Sequence, residues 1–258
     1  MLSVLVKLIL TVVFYSTAGA GQELTISAAI SLKDAFGEVG KVFEEKNKGS
    51  KVLFNFGASG ILIRQIEGGA PVDLFASASA KEMDELEKKG LILSETRSNF
   101  AGNSMVVIVP AASKIDISSF EGLKSPEIKK IAIGNPSTVP AGRYASKVFQ
   151  YYKIQTDLKD KFVFTENVRQ TLDYVVRAEV DAGVVYTTDA MTRGKEVRVI
   201  KTAPLDSHSS IVYPICVVRD TRNKDIAKAF ISLLMSDVGK RILEKYGFKI
   251  SWNSSVYD

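Results

Sequence analysis

The sequence predicts an α/β protein of two lobes, each a mixed, mainly parallel sheet covered by helices, with the chain crossing between them twice. Three observations carry this expectation. From Leu24 to Ala80, short apolar runs of strand length alternate with amphipathic runs of helical period, the pattern of parallel strands joined by helices. Small or hydroxyl residues recur where a strand gives way to a helix, at Ser27-Ala28-Ala29-Ile30-Ser31-Leu32, Gly57-Ala58-Ser59-Gly60 and Val139-Pro140-Ala141-Gly142. Two polar stretches, 112–119 and 206–210, interrupt the pattern where the chain would pass between lobes, and two such passages make a hinge.

The first strand, 24–27, runs into the turn that holds Ser31, and a helix continues to about Lys46 with Leu32, Ala35, Phe36, Val39 and Phe43 on one face. Ser31 stands where an N-cap belongs, which would leave the first-turn N–H groups facing outward over a hydroxyl, a neutral pocket for an anion. Strand 51–56, helix 60–67, strand 72–76 and helix 79–89 follow, the last closed by Gly90. The apolar strand 105–109 ends in Pro110 and leads to the first crossing. The second lobe then holds strand 130–133, helix 141–152, strand 162–164, helix 168–179 and strand 182–186. After the return comes strand 211–218, then a helical segment, 225–248, with Ile226, Phe230, Leu233, Leu234, Ile242, Leu243 and Tyr246 as its buried stripe. The expected division is a leader at 1–20, a first lobe opened by 21–108 and rejoined at the strand 211–218, and a second lobe at 109–210.

A chain of 258 residues, 46% apolar and 24% charged, is an ordinary globular composition. Residues 1–20 are apolar, carry a single Lys7 and end Ala18-Gly19-Ala20, the small-x-small pattern of a signal-peptidase site; the run 8–15 is too short to span a bilayer. Removal and export are the expectation. No cysteine follows the apolar run to accept a lipid, so the exported chain should diffuse freely in a periplasm. The lone Cys216 lies in an apolar run and reads as a buried small hydrophobe. The 34 basic and 29 acidic side chains are interleaved, as in Lys41-Val42-Phe43-Glu44-Glu45-Lys46, which argues against a nucleic-acid stripe. The net charge of +5, one less without the leader, is a mild field that gathers small anions.

Several chemistries lack their parts. There is one histidine, His208, with no Cys/His metal spacing, no phosphate loop with a following lysine, and no Gly-x-Ser-x-Gly elbow. A hydrolase built from Asp206, His208 and Ser59 would need a carboxylate–imidazole contact that sequence neighbours do not guarantee. What the sequence does offer are openings at strand-to-helix junctions. Ala58 and Gly60 around Ser59 leave the backbone open to close approach. Pro140, Ala141 and Gly142 keep a helix start clear of side chains. Val168 can act as a backbone donor after Thr165-Glu166-Asn167, and Tyr186 at a strand end can donate its phenolic O–H.

These residues also carry a resemblance. Ala28-Ala29-Ile30-Ser31-Leu32, Gly57-Ala58-Ser59-Gly60 with Arg64-Gln65-Ile66-Glu67, Gly69-Ala70-Pro71-Val72-Asp73 and Gly102-Asn103-Ser104 resemble the periplasmic molybdate-binding proteins of ABC importers. So do Gly134-Asn135-Pro136, Val139-Pro140-Ala141-Gly142, Glu166-Asn167-Val168-Arg169, Gly183-Val184-Val185-Tyr186 and Tyr246-Gly247-Phe248, in family order from Leu24 to Ile250. The resemblance implies a two-lobed class II periplasmic binding protein that closes on tetrahedral molybdate or tungstate, with the C-terminal part packed back on the first lobe so that 21–108 and 211–258 make one discontinuous lobe. It implies that Ser31, Ser59, Ala141, Val168 and Tyr186 hold the oxyanion, Ala141 and Val168 through backbone N–H groups, with no direct metal ligand. It further implies a protein with no cofactor and no enzymatic activity, whose partner is an ABC permease in the inner membrane, and a monomer is the simplest donor to such a permease. One departure is the single serine at Gly57-Ala58-Ser59-Gly60, where some members carry a run of serines. Molybdate, tungstate and sulfate are fully deprotonated at neutral pH and only accept hydrogen bonds, so a donor-only site suits them, with sulfate as the alternative ligand separated by size. Hydrogen phosphate carries a proton and wants an acceptor.

Overall fold

The computed structural model describes residues 22–250. The first part of the chain forms β1 (Glu23–Ala29), α1 (Lys33–Lys46), β2 (Lys51–Gly57), α2 (Ser59–Glu67), β3 (Leu74–Ala76), α3 (Ala80–Lys88) and β4 (Ser98–Gly102). The middle forms β5 (Met105–Pro110), β6 (Ile131–Gly134), α4 (Pro140–Tyr151), α5 (Gln155–Leu158), β7 (Phe162–Thr165), α6 (Val168–Val176), β8 (Ala182–Tyr186), α7 (Thr187–Thr192) and β9 (Val197–Thr202). The last part forms β10 (Val212–Val217), α8 (Lys224–Met235) and α9 (Asp237–Lys245).

These strands make two five-stranded sheets with one wiring scheme. The first runs β2-β1-β3-β10-β4 and the second β7-β6-β8-β5-β9. In each, three parallel strands are followed by one antiparallel strand and then an edge strand. The antiparallel member is in both cases the strand entered directly after a crossing, β10 in the first lobe and β5 in the second. The two-lobed α/β architecture thus agrees with the alternation and the repeated junctions.

The first crossing does not lie where the polar stretch suggested. Strand β5 pairs with β8 and β9, so the apolar run at 105–110 belongs to the second sheet and the chain passes over at Asn103-Ser104. A two-residue passage has neither the length nor the Gly/Pro punctuation that marks a loop. Pro110 and the polar residues after it instead form a surface turn leading to a 3-10 turn at Phe120–Lys124. The return does fall near 206–210, between β9 and β10, with a 3-10 turn at Leu205–Ser207. Strands β4 and β9, both edge strands, have no counterpart in the sequence reading.

Other boundaries moved for local reasons. Residues Ile30–Leu32 form a 3-10 turn ahead of α1, and the N-cap position falls on Leu32, so Ser31 does not cap the helix. Helix α6 stops at Val176 because Ala178 takes a left-handed conformation with φ 54°. The helical segment at 225–248 is broken at Ser236, whose hydroxyl accepts from Gly239 N–H and caps α9. Helices α8 and α9 pack back on α1, where Phe230 meets Phe36 and Phe43 with ring centroids 6.0 and 5.3 Å apart. Cys216 is fully buried opposite Phe75, and burial raises its thiol pKa. Trp252 and the expected leader lie outside the described residues. Among the described residues no helix is long and apolar enough to cross a membrane.

Candidate binding cleft

The C-terminal ends of the parallel strands of both sheets open onto one small cavity. From the first lobe it is lined by Ala29, Ile30 and Ser31 after β1, by Gly57, Ala58 and Ser59 after β2, and by Ala78 after β3. From the second it is lined by Val139, Pro140 and Ala141 after β6, by Val168 after β7, and by Tyr186 at the end of β8. All five residues singled out from the sequence, Ser31, Ser59, Ala141, Val168 and Tyr186, are in this lining and almost fully buried. The cavity encloses about 210 Å³ of empty space, its mouth included, and none of its lining residues is ionisable apart from the Tyr186 phenol. Burial, then the neighbouring Tyr213, pushes the pKa of that phenol up, so it stays a neutral O–H.

Glycine is what lets the walls come this close. A Cβ on Gly142 would stand 1.8 Å from Gly134 O, so only glycine allows the start of α4 to rest on the end of β6. A Cβ on Gly60 would stand 2.6 Å from Thr138 O, and the Gly60 N–H donates to that carbonyl at 3.0 Å, joining the lobes backbone to backbone. Helix α2 begins after Ala58 and α4 after Val139, and neither has a side-chain cap. Helix α6 begins after Asn167, whose Oδ1 accepts from Gln170 N–H at 3.0 Å, leaving the earlier N–H groups of that turn to other partners.

The serines are held with their acceptor side already used. Ser59 Oγ accepts from Ala78 N–H at 3.1 Å, which leaves its own hydrogen to donate. Ser31 Oγ lies 3.2 Å from Tyr213 Oη, and the direction of that bond follows from the next partners. Asn103 Oδ1 accepts from Ser104 N–H at 2.9 Å, so Asn103 Nδ2 is the donor to Thr188 Oγ1 at 2.9 Å and to Tyr213 Oη at 3.2 Å. Tyr213 then passes its hydrogen to Ser31, and Ser31 has one left for the cavity. Burial keeps Tyr213 protonated, its pKa raised above the ordinary phenol value. Tyr186 Oη lies 3.4 Å from Ala78 O, a long contact.

Three contributors were given no role by the sequence reading, although Asn103 stands in the quoted block Gly102-Asn103-Ser104. Ala78 carried the same signal as the other junctions, since Ser77-Ala78-Ser79 links β3 to α3. Tyr213 reaches Ser31 across 182 positions of chain and Asn103 reaches Tyr213 across 110, and no local pattern encodes either contact.

A wider groove of about 1350 Å³ beside this cavity holds mixed charges, among them Lys81, Asp84, Glu85 and Lys147, but none of the five residues. Lys81 and Glu85 pair with each other there at 3.6 Å, on an exposed helix face. The hydrolase arrangement is not assembled. Asp206 accepts from Tyr151 Oη at 2.8 Å, His208 Nδ1 pairs with Ser209 O at 2.8 Å, and Ser59 is bonded to Ala78. Among the described residues no group of three or more His, Cys, Asp or Glu could hold a metal ion.

Residues 24–249 match the family model for a bacterial extracellular solute-binding protein. The chain belongs to that family. Members of this family are substrate-binding components of transport systems rather than enzymes. Among individual relatives, YvgL of Bacillus subtilis, named as an ABC transporter substrate-binding lipoprotein, is 41% identical over 87% of this chain and 85% of its own. The molybdate-binding protein ModA of Haemophilus influenzae is 37% identical over 89% of this chain and 91% of its own. A periplasmic molybdate-binding protein of Azotobacter vinelandii superposes with a TM-score of 0.81 over 89% of this chain and all of its own, at 21% identity, which speaks for the fold. For this solute-binding protein, the small cavity between the lobes is therefore the place to look for the solute.

Proposed function

We propose that this solute-binding protein captures molybdate, and tungstate with it, between its lobes and delivers the oxyanion to the membrane permease of an ABC importer. One observation carries the reading: Ser31, Ser59, Ala141, Val168 and Tyr186 line a single buried cavity that contains hydrogen-bond donors and no charged side chain. A fully deprotonated tetrahedral oxyanion offers only acceptors, so each donor finds a partner and no acceptor is left facing an oxygen of like charge. The Ser31, Ser59 and Tyr186 hydroxyls donate from side chains. Ala141 and Val168 donate from the first turns of α4 and α6, and each helix start adds roughly 0.3–1 kcal/mol for a negative charge, more where partly buried. Without an ion pair to the ligand, binding stays reversible enough for transfer.

In this reading the protein is a monomer that binds no nucleic acid, catalyses no reaction and needs no cofactor. It works in the periplasm without a lipid anchor once residues 1–20 are removed. The lobes, roughly the two sheets with their helices, part at the crossings to admit and release the solute. Calorimetric titration with molybdate, tungstate, sulfate and phosphate tests the assignment. One-to-one binding of the first two with no heat from the others is the expected result. Stronger binding of sulfate would reassign the cavity to the smaller oxyanion, and silence from all four would remove the oxyanion reading.

A further inference from the structure

Two ion pairs bridge the cleft, and both spring from the helices that open onto the cavity. Helix α4 presents Ala141 to the cavity and, two residues on, Arg143, whose Nη2 bonds Glu82 Oε1 on α3 of the first lobe. Helix α6 presents Val168 and, one residue on, Arg169. Its Nη2 meets Asp34 Oδ2 on α1 of the first lobe at 2.6 Å, while its Nε holds Asp189 Oδ1 of its own lobe at 2.6 Å. Neither arginine lines the cavity.

Burial separates these pairs from those on the outer surface. The Glu82 side chain is 2% exposed and that of Arg143 21%, whereas Lys81 and Glu85 on the same helix as Glu82 are 57% and 39% exposed. A carboxylate so deeply enclosed needs a partner, and the partner of Glu82 stands on the opposite lobe. Parting the lobes would undo the bond and return both groups to water. A buried ion pair roughly breaks even against the hydration of its members, so it adds to a ligand's hold without locking the cleft alone. Glu82 Oε2 and Arg143 Nη1 are buried with no hydrogen-bond partner among the described residues, which keeps that balance close. Asp34 is 41% exposed, so its pair with Arg169 is the weaker of the two.

We propose that Glu82–Arg143 and Asp34–Arg169 are the clasps of the closed cleft, positioning residues that set how long the solute stays without touching it. This rests on the reading of the cavity as an oxyanion site that lobe motion closes. Each clasp begins within two residues of a donor helix start, so it also holds the Ala141 and Val168 N–H groups in place against the serines of the other lobe.

The test follows release and association of molybdate by stopped-flow fluorescence, with small-angle scattering of the ligand-free protein. Glu82→Gln is expected to speed release about 30-fold with association little changed, because truncating one partner of a buried charge pair acts on dissociation. Asp34→Asn is expected to speed it about threefold, the scale of an exposed pair. The double variant Glu82→Gln/Arg143→Gln should release molybdate more slowly than the product of the two single effects, since the pair couples. The preference for molybdate over sulfate should stay as in the wild type, because the clasps do not touch the ligand. Unchanged release in both Glu82→Gln and Arg143→Gln, or single effects that simply multiply, would overturn the proposal. If Glu82→Gln fails to fold, Arg143→Lys and Asp34→Asn decide the matter on the same release measurement. If the wild type binds none of the oxyanions, the cavity reading fails, and scattering decides the clasp: the free wild type must then be more compact than Glu82→Gln, and an equal radius overturns it.

Discussion

Under the proposed reading the first lobe faces the solute with side-chain hydroxyls, Ser31 and Ser59, while the second faces it mainly with backbone, at Ala141 and Val168. The hydroxyls are aimed by accepted bonds, from Tyr213 to Ser31 and from Ala78 to Ser59. The helix starts are aimed by packing, which puts α4 on the end of β6 through Gly142. The two lobes should therefore fail differently. The first is sensitive to the chemistry of single side chains, and the second to anything that shifts a helix.

The largest effect is expected in the second lobe. Gly142→Ala drives a Cβ into Gly134 O and should cost roughly 1–3 kcal/mol of stability or more, lower the denaturant midpoint and abolish molybdate binding in calorimetry. In the first lobe Ser59→Ala removes one donor and frees the Ala78 N–H, and should weaken binding by about 1–3 kcal/mol with a native-like circular dichroism spectrum. Tyr213→Phe touches no ligand, yet leaves the Ser31 hydroxyl without its donor; an affinity loss of about 1 kcal/mol would support the relay, and none would break it. Smallest of all is Val168→Ala, which keeps the backbone N–H and should leave affinity unchanged while costing some packing stability. A large loss of affinity in Val168→Ala would erase the contrast between the lobes.

Acidity sharpens the comparison at one further point. Asp189 lies fully buried below Tyr186, and burial, only partly offset by Arg169, raises its pKa from 3.8 to about 6. Its charged form is thus disfavoured in the folded state, and the stability it withholds above pH 6 is regained as pH falls toward 3.8. Unfolding of wild type and Asp189→Asn across that window should show the wild type gaining relative to the variant as pH drops; carboxyls such as Glu38, held below the usual range by Lys245 and then Tyr246, act in the opposite direction in both proteins.

Much of this was legible in the sequence because its devices are local. Alternating strands and helices, Gly90 after α3, the Pro140 helix start and Tyr186 at a strand end are each read within a few residues, and the five cavity residues follow from the resemblance those stretches carry. The failures share a different cause. Ser31 reads as a cap, and the short 3-10 turn that displaces it is held by tertiary packing. Strand β5 reads as first-lobe because its membership is settled by β8 and β9, about 75 to 96 positions away. The Asn103–Tyr213–Ser31 relay joins three distant segments through side chains that alone look like core or turn.

The exchanged antiparallel strands have a consequence for how the molecule comes into being. Strands β5 to β9 are contiguous, so the second lobe can complete its sheet as soon as Thr202 is made. The first lobe cannot: β3 and β4 flank a gap that only β10 fills, with Cys216 set against Phe75 and Val212 against Gly102. Until that strand arrives, two open sheet edges with their unpaired peptide groups await it, and such edges invite pairing with the wrong chain. The half of the protein begun first is therefore the half whose sheet is completed last, since it waits for β10 and for the helices α8 and α9 that follow it onto α1.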